Sequence, residues 1–261
     1  MKITKYPTVD SLIDELLNNL KSILGEKLLG LYLGGSLVVG DFDPDISDID
    51  LTAVLSSPVN DEEFIALKST HDNFAKTHPE WYDRIEMCYI TSSALKTVKS
   101  QTCQIVNISP GEPFHRMESS LDWLMNWYLL SAKSVAVFGP QASSFIQSIS
   151  KEEFIFAIRK HILNWSEYII NTKHYPANQG YIILTMCRGL YASKFGEQVS
   201  KKKAAEWVSS EFPEWSILIN NAIKWRQEWR NQKSDGEDAF PETKRFVNFA
   251  IDQISKILPQ P

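Results

Sequence analysis

Long hydrophobic runs are missing from this sequence. The longest, such as Tyr181–Leu184, fall far short of the ~20 apolar residues that a membrane span needs. Residues 1–10 hold no basic stretch leading into an apolar segment, so the expectation is a soluble, unexported, cytoplasmic protein with no membrane partner. Cysteine is scarce too. Cys88, Cys103 and Cys187 are odd in number, far apart and without metal-ligand spacing, which speaks against a disulfide framework and for reduced, buried thiols. Nor is there an excess of positive charge: 27 Lys and Arg against 32 Asp and Glu leave a formal net charge of −5. That argues against a nucleic-acid partner, whose phosphates need a basic surface. An acidic surface suits a cationic partner, and it also serves plain solubility. Internal repeats and low-complexity segments are absent. What is present, 43% hydrophobic and 23% charged residues over 261 positions, is ordinary globular composition. At roughly 150 residues per domain it fits two modest domains or one large one.

The layout is mixed at first and helical afterwards. Leu12, Ile13, Leu16, Leu17, Leu20, Ile23 and Leu24 recur at helical spacing behind the candidate caps Thr8 and Asp10, and Gly25 closes the run. Leu28 to Leu33 and Ile49 to Leu55 read as short buried strands. A helix follows from about Asp61 to His78, and Arg84 to Ile90 alternates as a third strand would. Beyond it strand signals become scarce. The turn Pro110-Gly111-Glu112-Pro113 is expected to lead into a helix around Leu121–Ala132, with Val135–Phe138 at most a short strand. From Lys151 onward the apolar stripes are helical: Phe154 to Ile169, Ile182 to Tyr191, Ala204 to Val208, and Phe246 to Ile257. The expectation is an α+β protein, residues 1–149 with a small mixed sheet flanked by helices and residues 150–261 an all-helical bundle.

One constellation carries chemistry. Gly34-Gly35-Ser36 follows the first strand, and Ser47-Asp48-Ile49-Asp50-Leu51 opens the second. Strand alternation projects Asp48 and Asp50 to one side while Ile49 and Leu51 point to the core. Two carboxylates aimed at one point repel, and a divalent cation removes the conflict; Mg²⁺ is typically held by one or two carboxylates together with substrate phosphates. The Gly-Gly-Ser turn offers unobstructed backbone N–H groups and a hydroxyl for a phosphate. Glu86 would add a third carboxylate if its strand lay beside that of Asp50, an arrangement suited to phosphoryl or nucleotidyl transfer. The bland alternative makes Asp48 and Asp50 solvated turn residues at a strand start.

The run Leu31 to Leu55, with Gly35-Ser36 and Asp48-Ile49-Asp50, resembles the nucleotidyltransferase superfamily that includes DNA polymerase beta. Leu129 to Pro140 (LLSAKSVAVFGP), Ile183 to Arg188 (ILTMCR) and Lys201 to Trp207 (KKKAAEW) look like the aminoglycoside adenylyltransferases of the streptomycin/spectinomycin type. The resemblance implies transfer of AMP from ATP to a hydroxyl of a small antibiotic, with pyrophosphate leaving; the expected partners are ATP and a cationic small-molecule acceptor, and the expected state is a monomer. It implies that Asp48 and Asp50 hold Mg²⁺, that Gly35 and Ser36 bind the ATP phosphates, and that Glu86 is the catalytic base or a third metal ligand. It also places an ATP-contacting lysine at Lys201 and an aromatic residue beside the nucleotide at Trp225. Read without the resemblance, Lys201–Lys203 is a solvated helix start and Trp225 a core or amphipathic anchor.

The sequence departs from that pattern in two places. Acidic residues that meet streptomycin's cationic groups are missing from Tyr175-Pro176-Ala177-Asn178-Gln179-Gly180, and a tryptophan is missing from the region Asn107 to His115, where Glu112 or His115 would have to line the cleft instead. The acceptor therefore stays open between an aminoglycoside or aminocyclitol and the hydroxyl of an unrelated metabolite, a protein or a tRNA. A nucleotide-binding module without catalysis is the third reading.

Overall fold

The computed structural model describes residues 2–227 and 236–257. By their internal packing they form two compact units, Met1–Phe42 with Ser47–Ile149, and Asp43–Ile46 with Ser150–Pro261.

In the first unit, α1 (Pro7–Leu24) leads into β1 (Leu28–Leu33), and the short α2 (Gly35–Val39) precedes β2 (Ile49–Leu55). Then come α3 (Asp61–Thr77), β3 (Ile85–Thr91), α4 (Ser92–Leu95), β4 (Cys103–Ser109), β5 (Glu112–Ser119), α5 (Leu124–Lys133) and β6 (Val135–Phe138). The six strands make one sheet in the order β5-β4-β3-β2-β1-β6. Only β2 and β3 run parallel. Parallel neighbours need a crossover connection, and α3 supplies it, begun by a reciprocal capping box between Asn60 and Glu63.

One core cluster lies on one face of this sheet, while Tyr32, Val54, Cys88 and Ile90, which alternate with its strand residues, are buried on the other. Leu31, Leu33, Ile49, Leu51, Met87 and Tyr89 form one cluster with Leu12, Ile13, Leu16 and Leu20 of α1 and with Leu67 and Phe74 of α3. Full burial of each such side chain contributes roughly 1.5–3 kcal/mol. The start of α1 differs from expectation. Its N-cap is Tyr6, with Pro7 in the first turn, and Asp10 sits inside the helix, where its carboxylate accepts from the N–H groups of Ile3 and Thr4.

A second difference is the hairpin of β4 and β5, two strands in a stretch where the sequence offers few strand signals. Pro110 and Gly111 form its turn, with Gly111 at φ 80°, and no helix follows directly. Pro113 falls in β5, which is an edge strand of the sheet and so tolerates a residue without an N–H. The helix expected around Leu121 begins as a 3₁₀ turn, Leu121–Trp123, before α5.

The second unit is built on α6 (Lys151–Tyr168), α7 (Pro176–Phe195), α8 (Lys201–Glu211), α9 (Ser216–Gln227) and α10 (Phe240–Ile257). Helix α7 is its axis: Ile182, Ile183, Leu184, Met186 and Cys187 are buried on every side, because α6, α8, α9 and α10 all pack on it. Helix α9 adds one element to the four apolar stripes. Gly180 lets it approach, since a Cβ there would stand 2.8 Å from the carbonyl oxygen of Ala222. Burial raises the thiols of Cys88 and Cys187 well above their ordinary pKa, as inert core cysteines require. No helix among the described residues is long and apolar enough to cross a membrane.

Candidate active site

Alternation along β2 and β3 decides which side chains leave the core. Ile49, Leu51 and Met87 turn inward, so Asp50 and Glu86, which are register partners across the two parallel strands, stand together on the other face. Asp48 lies one residue before β2, on the same side as Asp50. Ligand atoms of Asp48, Asp50 and Glu86 all lie within 4.8 Å of one another, and all three residues are half-buried. At that spacing two bare carboxylates repel by about 3 kcal/mol at an effective dielectric constant of 20. Three hard oxygen donors so placed are the ligand type that Mg²⁺ takes. Among the described residues this is the only such group of His, Cys, Asp or Glu.

The turn after β1 is bound to the same place. Gly34 N–H donates to the carbonyl oxygen of Asp50 at 2.9 Å. Gly35 follows at φ 59°, and a Cβ on it would overlap the Asp50 carboxylate. The hydroxyl oxygen of Ser36 is buried without a hydrogen-bond partner. An unsatisfied buried group of this kind costs about 1–3 kcal/mol, and a phosphate oxygen would relieve it. Gly35, Ser36, Asp48, Asp50 and Glu86 thus belong to one neighbourhood built entirely by the first unit.

Lys201 and Trp225 belong to the second unit. Lys201 is the first residue of α8, and its ammonium lies 4.6 Å from the ring centre of Tyr181. Trp225, half-buried on α9, approaches Gly180. The first turn of α8 holds three lysines and no acid, against the helix dipole, where each cation costs about 0.3–1 kcal/mol. Glu112 is engaged in its own hairpin, accepting from the Ser109 hydroxyl at 3.1 Å, and His115 Nδ1 lies 2.6 Å from the carbonyl oxygen of Pro113.

Sequence reading passed over two buried polar residues. Gln179 is wholly enclosed; its amide donates to the carbonyls of Lys173 and Gly236 and its oxygen accepts from the Thr243 hydroxyl. Arg84, 3% exposed, sets its guanidinium on the carbonyl of Ser47. The one signal for Arg84 in the sequence is a lone cation at the entry of a strand two residues before Glu86.

Fold and carboxylate set together define a nucleotidyltransferase, and the model of the family "Nucleotidyltransferase domain" matches residues 13–106. That of "Aminoglycoside adenylyltransferase, C-terminal domain" matches residues 144–253. The chain belongs to the aminoglycoside adenylyltransferases of the nucleotidyltransferase superfamily. Its fold is similar to that of the spectinomycin adenyltransferase AAD(9) from Enterococcus faecialis, a crystal structure with ATP and spectinomycin. The TM-score is 0.71 at 19% identity, covering 94% of this chain and 98% of the other.

Proposed function

We propose that this enzyme transfers AMP from ATP to a hydroxyl of an aminoglycoside or aminocyclitol and releases pyrophosphate. Residues 1–149 would act as the nucleotidyltransferase domain and residues 150–261 as the helical C-terminal domain. The observation that carries the reading is the convergence of Asp48, Asp50 and Glu86 beside a glycine turn that leaves the Ser36 hydroxyl unsatisfied.

In this reading Asp48 and Asp50 hold Mg²⁺, which when bound neutralises phosphate charge and orients the triphosphate. Gly35 gives the phosphates access to the backbone and Ser36 donates its hydroxyl to one of them. Glu86 takes the proton of the attacking acceptor hydroxyl as the new phosphoester bond forms and the bond to pyrophosphate breaks. Lys201 is assigned to the nucleotide on the family resemblance, and its place in the first turn of α8, at the positive end of the helix dipole, is one where an anionic group is favoured. Trp225 is assigned to the nucleotide's neighbourhood.

The acceptor class follows from the family and is narrowed by Tyr175–Gly180. This stretch offers no carboxylate to a guanidinium, and its one buried polar side chain, Gln179, is occupied with Lys173, Gly236 and Thr243. Spectinomycin, with fewer cationic groups than streptomycin, is the preferred acceptor.

A pyrophosphate-release assay with ATP and Mg²⁺ across a panel of aminoglycosides and other antibiotics tests the function. Release that depends on an aminoglycoside or aminocyclitol is expected. Release only with a protein, a tRNA or another metabolite would move the acceptor to a different class, and no release with any acceptor would leave nucleotide binding alone.

A further inference from the structure

Asp48 stands just outside β2, where no strand ladder holds it, yet its carboxylate must meet those of Asp50 and Glu86. The direction of its Cα–Cβ bond is set by the two peptide planes that flank its Cα. Both planes are held by one residue. On the N-terminal side, the Ser47 carbonyl accepts from Arg84 Nε at 2.9 Å and from Arg84 Nη2 at 2.5 Å. On the C-terminal side, the Ile49 N–H donates to the carbonyl oxygen of Arg84 at 2.9 Å.

The clamp is itself rigid. Arg84 and Ser47 are buried, at 3% and 1% exposure. The guanidinium carbon lies 4.3 Å from the ring centre of Trp81, Nη1 donates to the carbonyl of Glu80, and Trp81 stacks on Phe42 at 12° between planes. A planar fork that gives two N–H groups to one oxygen while its face rests on an indole fixes orientation in a way that a lysine's rotatable ammonium does not.

We propose that Arg84 is the positioning residue of the carboxylate cluster: it holds both peptides flanking Asp48, and so aims that side chain at the point where Asp50 and Glu86 converge. The proposal rests on the reading of Asp48 as a metal ligand. Groups that orient ligands from behind are worth 10- to 100-fold in metal affinity.

The test uses the full-length protein, Mn²⁺ as the metal, and three variants, Arg84→Met, Arg84→Lys and Asp48→Asn. Calorimetry measures ATP binding with Mn²⁺ and, separately, in EDTA, and thermal melting without ligand reports the fold. Arg84→Met keeps a stem on Trp81 and removes the fork. It is expected to weaken Mn²⁺-dependent ATP binding at least tenfold while binding in EDTA stays within twofold of wild type. Arg84→Lys, which retains the charge and a donor, is expected to fall between the two, and it carries the measurement alone if Arg84→Met does not fold. A lowered melting temperature with unchanged Mn²⁺ dependence in the folded variants would make Arg84 purely structural and overturn the proposal. If Asp48→Asn itself left Mn²⁺ dependence intact, the metal-ligand reading would fall first.

Discussion

Gly35 and Asp50 meet across a space that no further side chain can share. A Cβ on Gly35 would overlap Asp50 Oδ2, and the backbone there has φ 59°. The turn after β1 and the carboxylate on β2 are therefore a single piece of geometry.

Gly35→Ala should accordingly disable the site more than it destabilises the fold. The left-handed backbone costs an L-residue about 1–2 kcal/mol, and the methyl must push the Asp50 carboxylate out of the cluster. Turnover is expected to fall at least a hundredfold with a melting temperature a few degrees lower, as judged by pyrophosphate release and calorimetric melting. Near-normal turnover would mean that the Asp50 position is not critical.

Metal binding and proton transfer should separate by substitution. Asp48→Asn or Asp50→Asn removes a ligand, so ATP·Mg²⁺ affinity and turnover should fall together. Glu86→Gln keeps the shape and removes the basic site. It should bind ATP·Mg²⁺ nearly normally and lose roughly 10²- to 10⁴-fold in transfer rate. Loss of Mg²⁺-dependent ATP binding in Glu86→Gln would make Glu86 a third metal ligand instead.

The acceptor ranking can be read from competition between two drugs. Spectinomycin should be adenylylated with the higher kcat/KM and streptomycin poorly, because a desolvated guanidinium without a carboxylate is unfavourable. Efficient use of streptomycin with spectinomycin untouched would reverse the assignment.

His71 of α3 gives the first unit a pH dependence. Its Nε2 lies 2.8 Å from the Tyr89 hydroxyl of β3, and burial pushes its pKa from 6.5 down to about 4, against the opposing influence of Asp72. The folded state thus prefers the neutral ring. Above pH 6.5 neither state is protonated and the stabilisation is fully present. Between pH 6.5 and 4 the unfolded chain binds a proton that the folded one refuses, so stability falls as pH falls, by about 3 kcal/mol in all. Urea midpoints across this range should show the slope, and His71→Gln should flatten it by about one proton.

Local signals made much of this legible. The limits of β1 and β2 follow from the apolar runs Leu28 to Leu33 and Ile49 to Leu55, and the Gly35-Ser36 and Asp48/Asp50 pairs stand on short segments whose conformation neighbouring residues dictate. The helical stripe of α1 needed only its 3.6-residue period. The hairpin of β4 and β5 was hidden, since Ile105 and Val106 are adjacent and both buried, which breaks the alternation of a one-sided strand, and Pro113 reads as a breaker until its edge position is known.

Other features exist only across the fold. Glu86 meets Asp50 because the crossover through α3 brings β3 alongside β2 in parallel with those two residues in register, and strand pairing of this kind has no local signature. Arg84 stands in the sequence only as a cation at the start of a strand, and becomes a buried clamp only when the Ser47 carbonyl, 37 residues earlier, arrives within its reach. Gln179 likewise looks like one more polar residue before a helix until Thr243 and Gly236 enclose it. The sequence by itself determined which candidate groups leave the strands on the side away from the α1 and α3 cluster, because residue type and strand alternation are local properties. Tertiary structure decided which of them converge and what holds them there, because that depends on hydrogen bonds and packing between segments far apart in the chain.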